Sequence, residues 1–311
     1  MKARFAFTML ELVFVIVVMG ILAKFGVEFI AQSYKSYLFT KTNAYLQDES
    51  EAAVEIIAKR LQYRIKDSVI ARKSAGGTPV AIGSASGDDY TILEWIGSDN
   101  EGFRGSRDNN NTDPNWSGII DLNSSSASLL TSPSTDTTQE NELIKALVDN
   151  NNTTIDEAAL YFIGSNSNAV TDYGWDGNLT HMQSQKGALH PVKRVSGNIT
   201  QFQSSTTHDF SGVDVYEYYK LAWSAYALVL DSNATLKLYY NYQPWLDRNG
   251  DNATDQFNNA PNVKSMIVME NVSSFRFMAI GSILKIEVCV KSNLLEKDGG
   301  EYSLCKEKTI L

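Results

Sequence analysis

The stretch Phe7-Thr8-Met9-Leu10-Glu11-Leu12-Val13-Phe14-Val15-Ile16-Val17-Val18-Met19-Gly20-Ile21-Leu22-Ala23 decides the architecture. A single charge, Glu11, interrupts an otherwise membrane-compatible run, and Met1-Lys2-Ala3-Arg4-Phe5-Ala6 precedes it as a basic leader. As a helix the run is roughly 25 Å long, the short end of a bilayer span. A carboxylate inside a bilayer costs on the order of a few kcal/mol, so Glu11 demands a partner or a function. No Ala-x-Ala cleavage site follows the run, and Lys24 continues the helix, so the apolar segment is expected to be retained. The leader puts the N-terminal end on the cytoplasmic side and everything after Lys24 outside. Lys24 and Glu28, four apart, can pair where the helix leaves the bilayer.

Working outward, there is no proline before Pro79 and no glycine between Gly26 and Gly76. Val54, Ile57, Leu61, Ile65 and Ser68 follow the three-four spacing of one helix face, while Glu55, Lys59, Arg60 and Lys66 fall largely elsewhere. Ser74-Ala75-Gly76-Gly77 and Pro79 form a stop signal. The pattern predicts one long helix, with a transmembrane part over 7–30 and an amphipathic continuation over 31–75. Residues 76–311 would form the head.

Within the head, residues 78–160 are dense in Ser, Thr, Asn, Asp and Gly and read as a polar, loop-rich insertion. Tyr90 to Ile96 reads as a strand, 108–115 and 123–138 as loops, and Glu142 to Val148 as a short helix. Farther on, Leu221 to Leu230 suits a strand buried on both faces, and Leu236 to Tyr240 alternates as a half-exposed strand does. Lys264–Met269, Ser274–Ala279 and Ile283–Val290, with turns at Asn271 and Gly281, complete an antiparallel sheet. A long N-terminal helix packed on such a sheet is an α+β fold.

A hydrophobic content of 43% can supply a core. The net charge of −9 becomes −11 without Lys2 and Arg4, because 25 basic residues then face 36 acidic ones. Such a body repels phosphate backbones, and no nucleic-acid partner is expected. Catalytic motifs are missing too: there is no Gly-x-Ser-x-Gly elbow, His-Glu-x-x-His or phosphate-binding glycine loop. Ser282-Ile283-Leu284-Lys285 matches Ser-x-x-Lys at the start of a strand, where the two side chains diverge, so no enzyme is expected. Asparagines 110, 151, 178 and 233 sit in Asp/Glu-x-Asn-x-Ser/Thr patterns that follow from composition. Cys289 and Cys305 are the only cysteines, and His181, His190 and His208 show no ligand spacing to them. In a body outside the cytoplasm they form a disulfide closing a C-terminal hairpin, a stabilisation of about 3 kcal/mol.

Phe7-Thr8-Met9-Leu10-Glu11 resembles the prepilin-type cleavage and methylation motif of type IV pilins and type II secretion pseudopilins. The resemblance implies that a prepilin peptidase cuts between Ala6 and Phe7 and methylates the new amine of Phe7. Glu11 would then offset that amine, carried by a neighbouring subunit, as anchors pack into a filament. Ala6 stands where the family usually has Gly, and Glu28 where many members have a helix-kinking proline. A looser likeness covers Ala52 to Lys73 and the C-terminal third, where Glu270-Asn271-Val272-Ser273-Ser274-Phe275-Arg276-Phe277 resembles the larger minor subunits, J-type pseudopilins and W-type minor pilins. The implied protein is a non-enzymatic filament subunit of a bacterial inner membrane, single-pass, with its head in the periplasm. Its implied partners are other pilins or pseudopilins, the peptidase, the inner-membrane assembly platform and, before assembly, the membrane itself.

Two further readings stay open. Asp247, Asn249, Asp251 and Asp255 place oxygen side chains at positions one, three, five and nine of a loop, the early ligand spacing of a calcium site. Gly250 at position four and Asn258 at position twelve depart from that pattern, and a polar turn is the other reading. The alternative function is a pilus-tip adhesin or cargo-binding subunit with 78–160 as the recognition module, Trp116 and Trp175 supplying exposed contacts.

Overall fold

The computed structural model describes residues 8–85, 87, 89–105, 113–148, 152–292 and 303–311. Helix α1 runs from Met9 to Gln62, Met9–Gln62, with Thr8 as its N-cap. Almost every residue from Met9 to Lys41 is exposed. Burial begins at Thr42 and recurs at Leu46, Ser50, Ala53, Val54, Ile57, Ala58 and Leu61, a stripe at three-four spacing.

The helix ends thirteen residues before the predicted limit at residue 75. Sheet pairing takes over there: Ile65 N–H donates to Ile96 O at 2.8 Å, Ser98 N–H to Tyr63 O at 2.8 Å, and Arg64 bridges Gly97. Ile65 and Ser68 are buried as their spacing implies, but on non-helical chain. Ser68 Oγ donates to Ile65 O at 2.8 Å and accepts from Ile96 N–H at 2.9 Å. The apolar period therefore continued past the helix because the following segment is buried by the sheet.

Fourteen strands follow among the described residues: β1 Ile70–Arg72, β2 Val80–Ala81, β3 Ile92–Gly97, β4 Leu130–Thr131, β5 Ala159–Phe162, β6 Leu189–Val195, β7 Asn198–Ser204, β8 Tyr219–Ala222, β9 Ser224–Leu230, β10 Leu236–Tyr242, β11 Lys264–Met269, β12 Val272–Ile280, β13 Ile283–Lys291 and β14 Ser303–Ile310. Helices α2 Asn100–Arg104, α3 Thr137–Val148 and α4 Leu179–Gln183 lie between them. The strands make three antiparallel sheets: a six-stranded one in the order β11-β10-β9-β3-β1-β2, a three-stranded one in the order β12-β13-β14, and a five-stranded one in the order β4-β7-β6-β5-β8. The fold is α+β, with the long N-terminal helix packed against antiparallel sheets.

The buried stripe of α1 packs on two sheets. Val54, Ile57 and Leu61 share a core with Leu93, Trp95 and Leu228 of the six-stranded sheet and with Phe275, Ile286 and Val288 of the three-stranded one. Strand alternation gives the six-stranded sheet a second buried face, where Ile92, Ile96, Ala225 and Ala227 meet Trp175 and Trp245. The predicted single sheet is thus two sheets, both packed against the buried stripe of the helix. Asn271 (φ 57°) and Gly281 (φ 60°) make the turns expected of them.

The insertion is displaced from its predicted span of 78–160. Strand β3 pairs with β9 from Ile92↔Val229 to Gly97↔Ser224, so the Tyr90–Ile96 strand belongs to the main sheet and residues 98–223 intervene. Those residues carry the five-stranded sheet and α2 to α4, with their own core around Trp116, Ile144, Leu160, Phe162, Phe202 and Leu221. Polar composition concealed this order, since α3 begins at Thr137 inside the predicted 123–138 loop.

Candidate functional site

The exposed half of α1 opens on Thr8 and Glu11. Glu11 Oε2 accepts from Thr8 N–H at 3.0 Å and from Thr8 Oγ1 at 2.9 Å, and Glu11 N–H donates to Thr8 Oγ1 at 3.4 Å. This is a capping box, which satisfies the first orphan N–H groups of the helix. The Thr-x-x-Glu spacing is its signal in the sequence. Ala6 and Phe7, the expected cleavage and methylation positions, lie outside the described residues, as does the leader 1–6.

Above Glu11 the helix is long and apolar enough to cross a membrane. From Met9 to Lys41 it extends about 50 Å at its standard rise, longer than the roughly 30 Å of a bilayer core. Lys24 Nζ and Glu28 Oε1 stand 4.0 Å apart with both side chains exposed, a pairing of little energetic weight. Tyr34, Tyr37 and Tyr45 are exposed farther along, and Tyr45 OH donates to Glu49.

The packed half is fastened to the C-terminal sheet. Lys306 Nζ meets Glu51 Oε2 at 2.8 Å, and Lys308 pairs with Glu55. Cys289 and Cys305 stand directly opposite in the β13–β14 register and form a disulfide with Cα atoms 4.0 Å apart. Buried Arg64 closes the top of this arrangement, donating to Leu61 O at 2.7 Å, Ser282 O at 2.9 Å and Leu311 O at 3.4 Å. Ser282 thus serves through its carbonyl, and Lys285 pairs with Glu307 at 2.6 Å.

The expected calcium residues occupy one loop, each accepting from backbone N–H groups, and Asp247, Asp251 and Asp255 do not bring three carboxylate oxygens within 4.8 Å of one another. Asp247 accepts from Gly250 N–H at 2.7 Å and Asn252 N–H at 3.1 Å, Asn249 from Asp251 N–H at 3.2 Å, and Asp251 from Ala253 N–H at 3.0 Å. Asp255 is buried and takes Arg248 N–H at 3.2 Å. Burial pushes the Asp255 carboxyl up to about 6. Among the described residues, the one group of three Asp, Glu, His or Cys ligand atoms within 4.8 Å of one another is Glu287, Cys289 and Cys305, whose sulfurs are joined as a disulfide.

A buried ion pair went unread in the sequence. Arg72 Nε meets Glu94 Oε1 at 2.6 Å with both side chains nearly inaccessible. The guanidinium also donates to Trp175 O at 2.8 Å, Gln256 Oε1 at 2.7 Å and Gly77 O at 2.5 Å, and Tyr242 OH donates to Glu94 Oε2 at 3.1 Å. Burial pushes Glu94 upward while Arg72 opposes it. Glu94 within the apolar Tyr90–Ile96 run was the available signal, because a buried strand tolerates a charge only when it is paired.

The aromatic contacts expected of an adhesin are buried: Trp116 is 3% and Trp175 1% exposed. The first packs in the core of the insertion, and the second donates its indole to Ser68 O at 2.9 Å. His190 is buried beside Gln185, and burial pushes it down to about 4. Asn178 caps α4 by accepting from His181 N–H at 3.1 Å, whereas Asn110 and Asn151 lie outside the described residues. Comparison with protein-family models, with curated proteins and with solved structures gave no match.

Proposed function

We propose that this chain is a non-enzymatic minor subunit of a filament of the pilin–pseudopilin kind, held in a bacterial inner membrane before assembly with its head in the periplasm. The observation that carries the reading is the exposed first half of α1, apolar on every side from Leu12 to Ala23 and continuous with a half buried in the head. A helix apolar on every side requires lipid or other helices around it, and filament assembly exchanges the first for the second. The capping box keeps Glu11 bonded to its own helix end while the segment sits in lipid, and both bonds to Thr8 fall on Oε2. In the filament the same carboxylate would meet the amine of Phe7 from a neighbouring subunit. Glu11→Val should preserve membrane insertion and lose incorporation, read by fractionation of sheared filaments; normal incorporation of the variant would reduce the segment to a plain anchor.

A further inference from the structure

Two buried carboxyls lie where the chain passes between the main sheet and the insertion. Asp99 follows β3 on the outgoing path, and its N–H donates to Leu221 O of the returning path at 2.8 Å. Its carboxylate accepts from two indoles, Trp116 Nε1 at 2.7 Å and Trp223 Nε1 at 3.2 Å. Glu140 comes from α3 and takes Asn115 Nδ2 on Oε2 at 3.2 Å, while its Oε1 is buried without a partner. Asp99 is 3% exposed and Glu140 0%.

The two side chains meet against the bare Cα of Gly102 in α2. A Cβ there would stand 2.0 Å from Glu140 Oε2 and 2.3 Å from Asp99 Oδ2, so a residue without a side chain makes room for both. Two carboxylates in this position repel without solvent to screen them, whereas one proton turns the repulsion into a hydrogen bond. We propose that Asp99 and Glu140 share one proton and that this proton latches α3 onto the base of the insertion, where the chain leaves β3 and returns to β9, so that losing it at rising pH loosens the insertion.

The surroundings favour retention of the proton. Burial, then the charge of Asp99, pushes Glu140 well above the usual carboxylate range, and burial pushes Asp99 up as well. Glu101 on α2 adds a further negative charge and is drawn outward by Arg60 of α1 at 3.7 Å. Tyr219 on β8 has its hydroxyl on Ser132 at 2.8 Å and its own ionisation pushed up to about 12, so it stays neutral. Asn115, Trp116 and Trp223 are neutral donors. A carboxyl whose folded value is raised binds more protons folded than unfolded, so its stabilisation is complete at low pH and disappears as pH rises through that value.

The test uses the full-length chain in detergent micelles, with thermal melting and tryptophan fluorescence followed from about pH 5 to about pH 8. The wild type should lose about 3 °C or more of melting temperature over that range. Glu140→Gln keeps a donor toward Asp99 with no proton to lose and should at least halve the loss; the other buried carboxyls, Asp255 and Glu94, are the same in both proteins, so the difference belongs to the pair. Equal pH dependence in the two overturns the proposal. Should the variant fail to fold, infrared spectroscopy of wild type carrying isotope-labelled glutamate should find a protonated carboxyl that titrates together with the tryptophan signal. A missing band, or one that titrates without that signal, is equally decisive against it.

Discussion

The two halves of α1 share one unbroken hydrogen-bonded backbone and differ in where their apolar residues lie. From Met9 into the middle of the helix they occur on every side and are exposed, Ile16 at 63%. From Thr42 to Leu61 burial is confined to one stripe, with Leu61 at 0%. Only the second half is held by its own chain, through the helix-side core, the Lys306 and Lys308 pairs and Arg64. Continuity of a helix therefore says little about its surroundings, while the angular distribution of its apolar residues says a great deal.

The sharpest way to break this comparison is one substitution made in each half. Leu61→Asp puts an unpaired charge into the core and should cost more than about 4 kcal/mol, enough to unfold the head. Ile16→Asp should leave the melting of the head unchanged and weaken retention in membranes, read by alkaline extraction. An unaltered melting temperature for Leu61→Asp would show that the stripe does not pack as described.

The next largest effect lies on the far face of the main sheet. Arg72→Met strands Glu94 in a dry site and should cost about 3 kcal/mol or more in urea unfolding. Adding Glu94→Leu should restore much of that loss, because the pair is costly to break but not to replace. Full additivity of the two changes would contradict the pairing.

Removal of the disulfide should cost about 3 kcal/mol by the chain-entropy argument. Its effect should fall on the packed half of α1, because β14 lies along that half. Cys289→Ser/Cys305→Ser should accordingly speed hydrogen exchange around Val54 to Leu61, with little change from Met9 to Lys41. Uniform acceleration along the helix would erase the distinction.

The smallest expected effect is a pH slope. Asp255 is raised to about 6 by burial, so its contribution is complete below its unfolded value near 4 and is lost between about pH 4 and about pH 6. Asp255→Asn should flatten that part of the stability profile, and an unchanged profile would show that the carboxyl ionises freely in the folded head.

What could be read from sequence followed a physical rule. The exposed apolar segment, the buried stripe, strands β10 to β13 and the disulfide all rest on local periodicity or on a scarce residue, so neighbours in sequence were enough to identify them. The single strand expected over Leu221–Leu230, by contrast, divides at Trp223 into β8 and β9, which belong to different sheets. The helix end at Gln62 was misplaced because burial by the sheet at Ile65 and Ser68 imitates a helical face. The insertion was misplaced because its limits are set by β3 meeting β9, a pairing between distant segments. Arg72 with Glu94 and Asp99 with Glu140 are likewise products of topology. Of the candidate site, Glu11 was legible as a charge out of place and its bonds to Thr8 as a spacing, while the expected cut at Phe7 rests on the motif alone.

That cut is also where the account is most directly tested. Full-length chain produced together with a prepilin peptidase should yield, by mass spectrometry of its N-terminal peptide, a protein beginning at an N-methylated Phe7. A chain that still begins at Met1 under conditions where a known prepilin is processed would contradict the assignment of the exposed half of α1 to filament assembly.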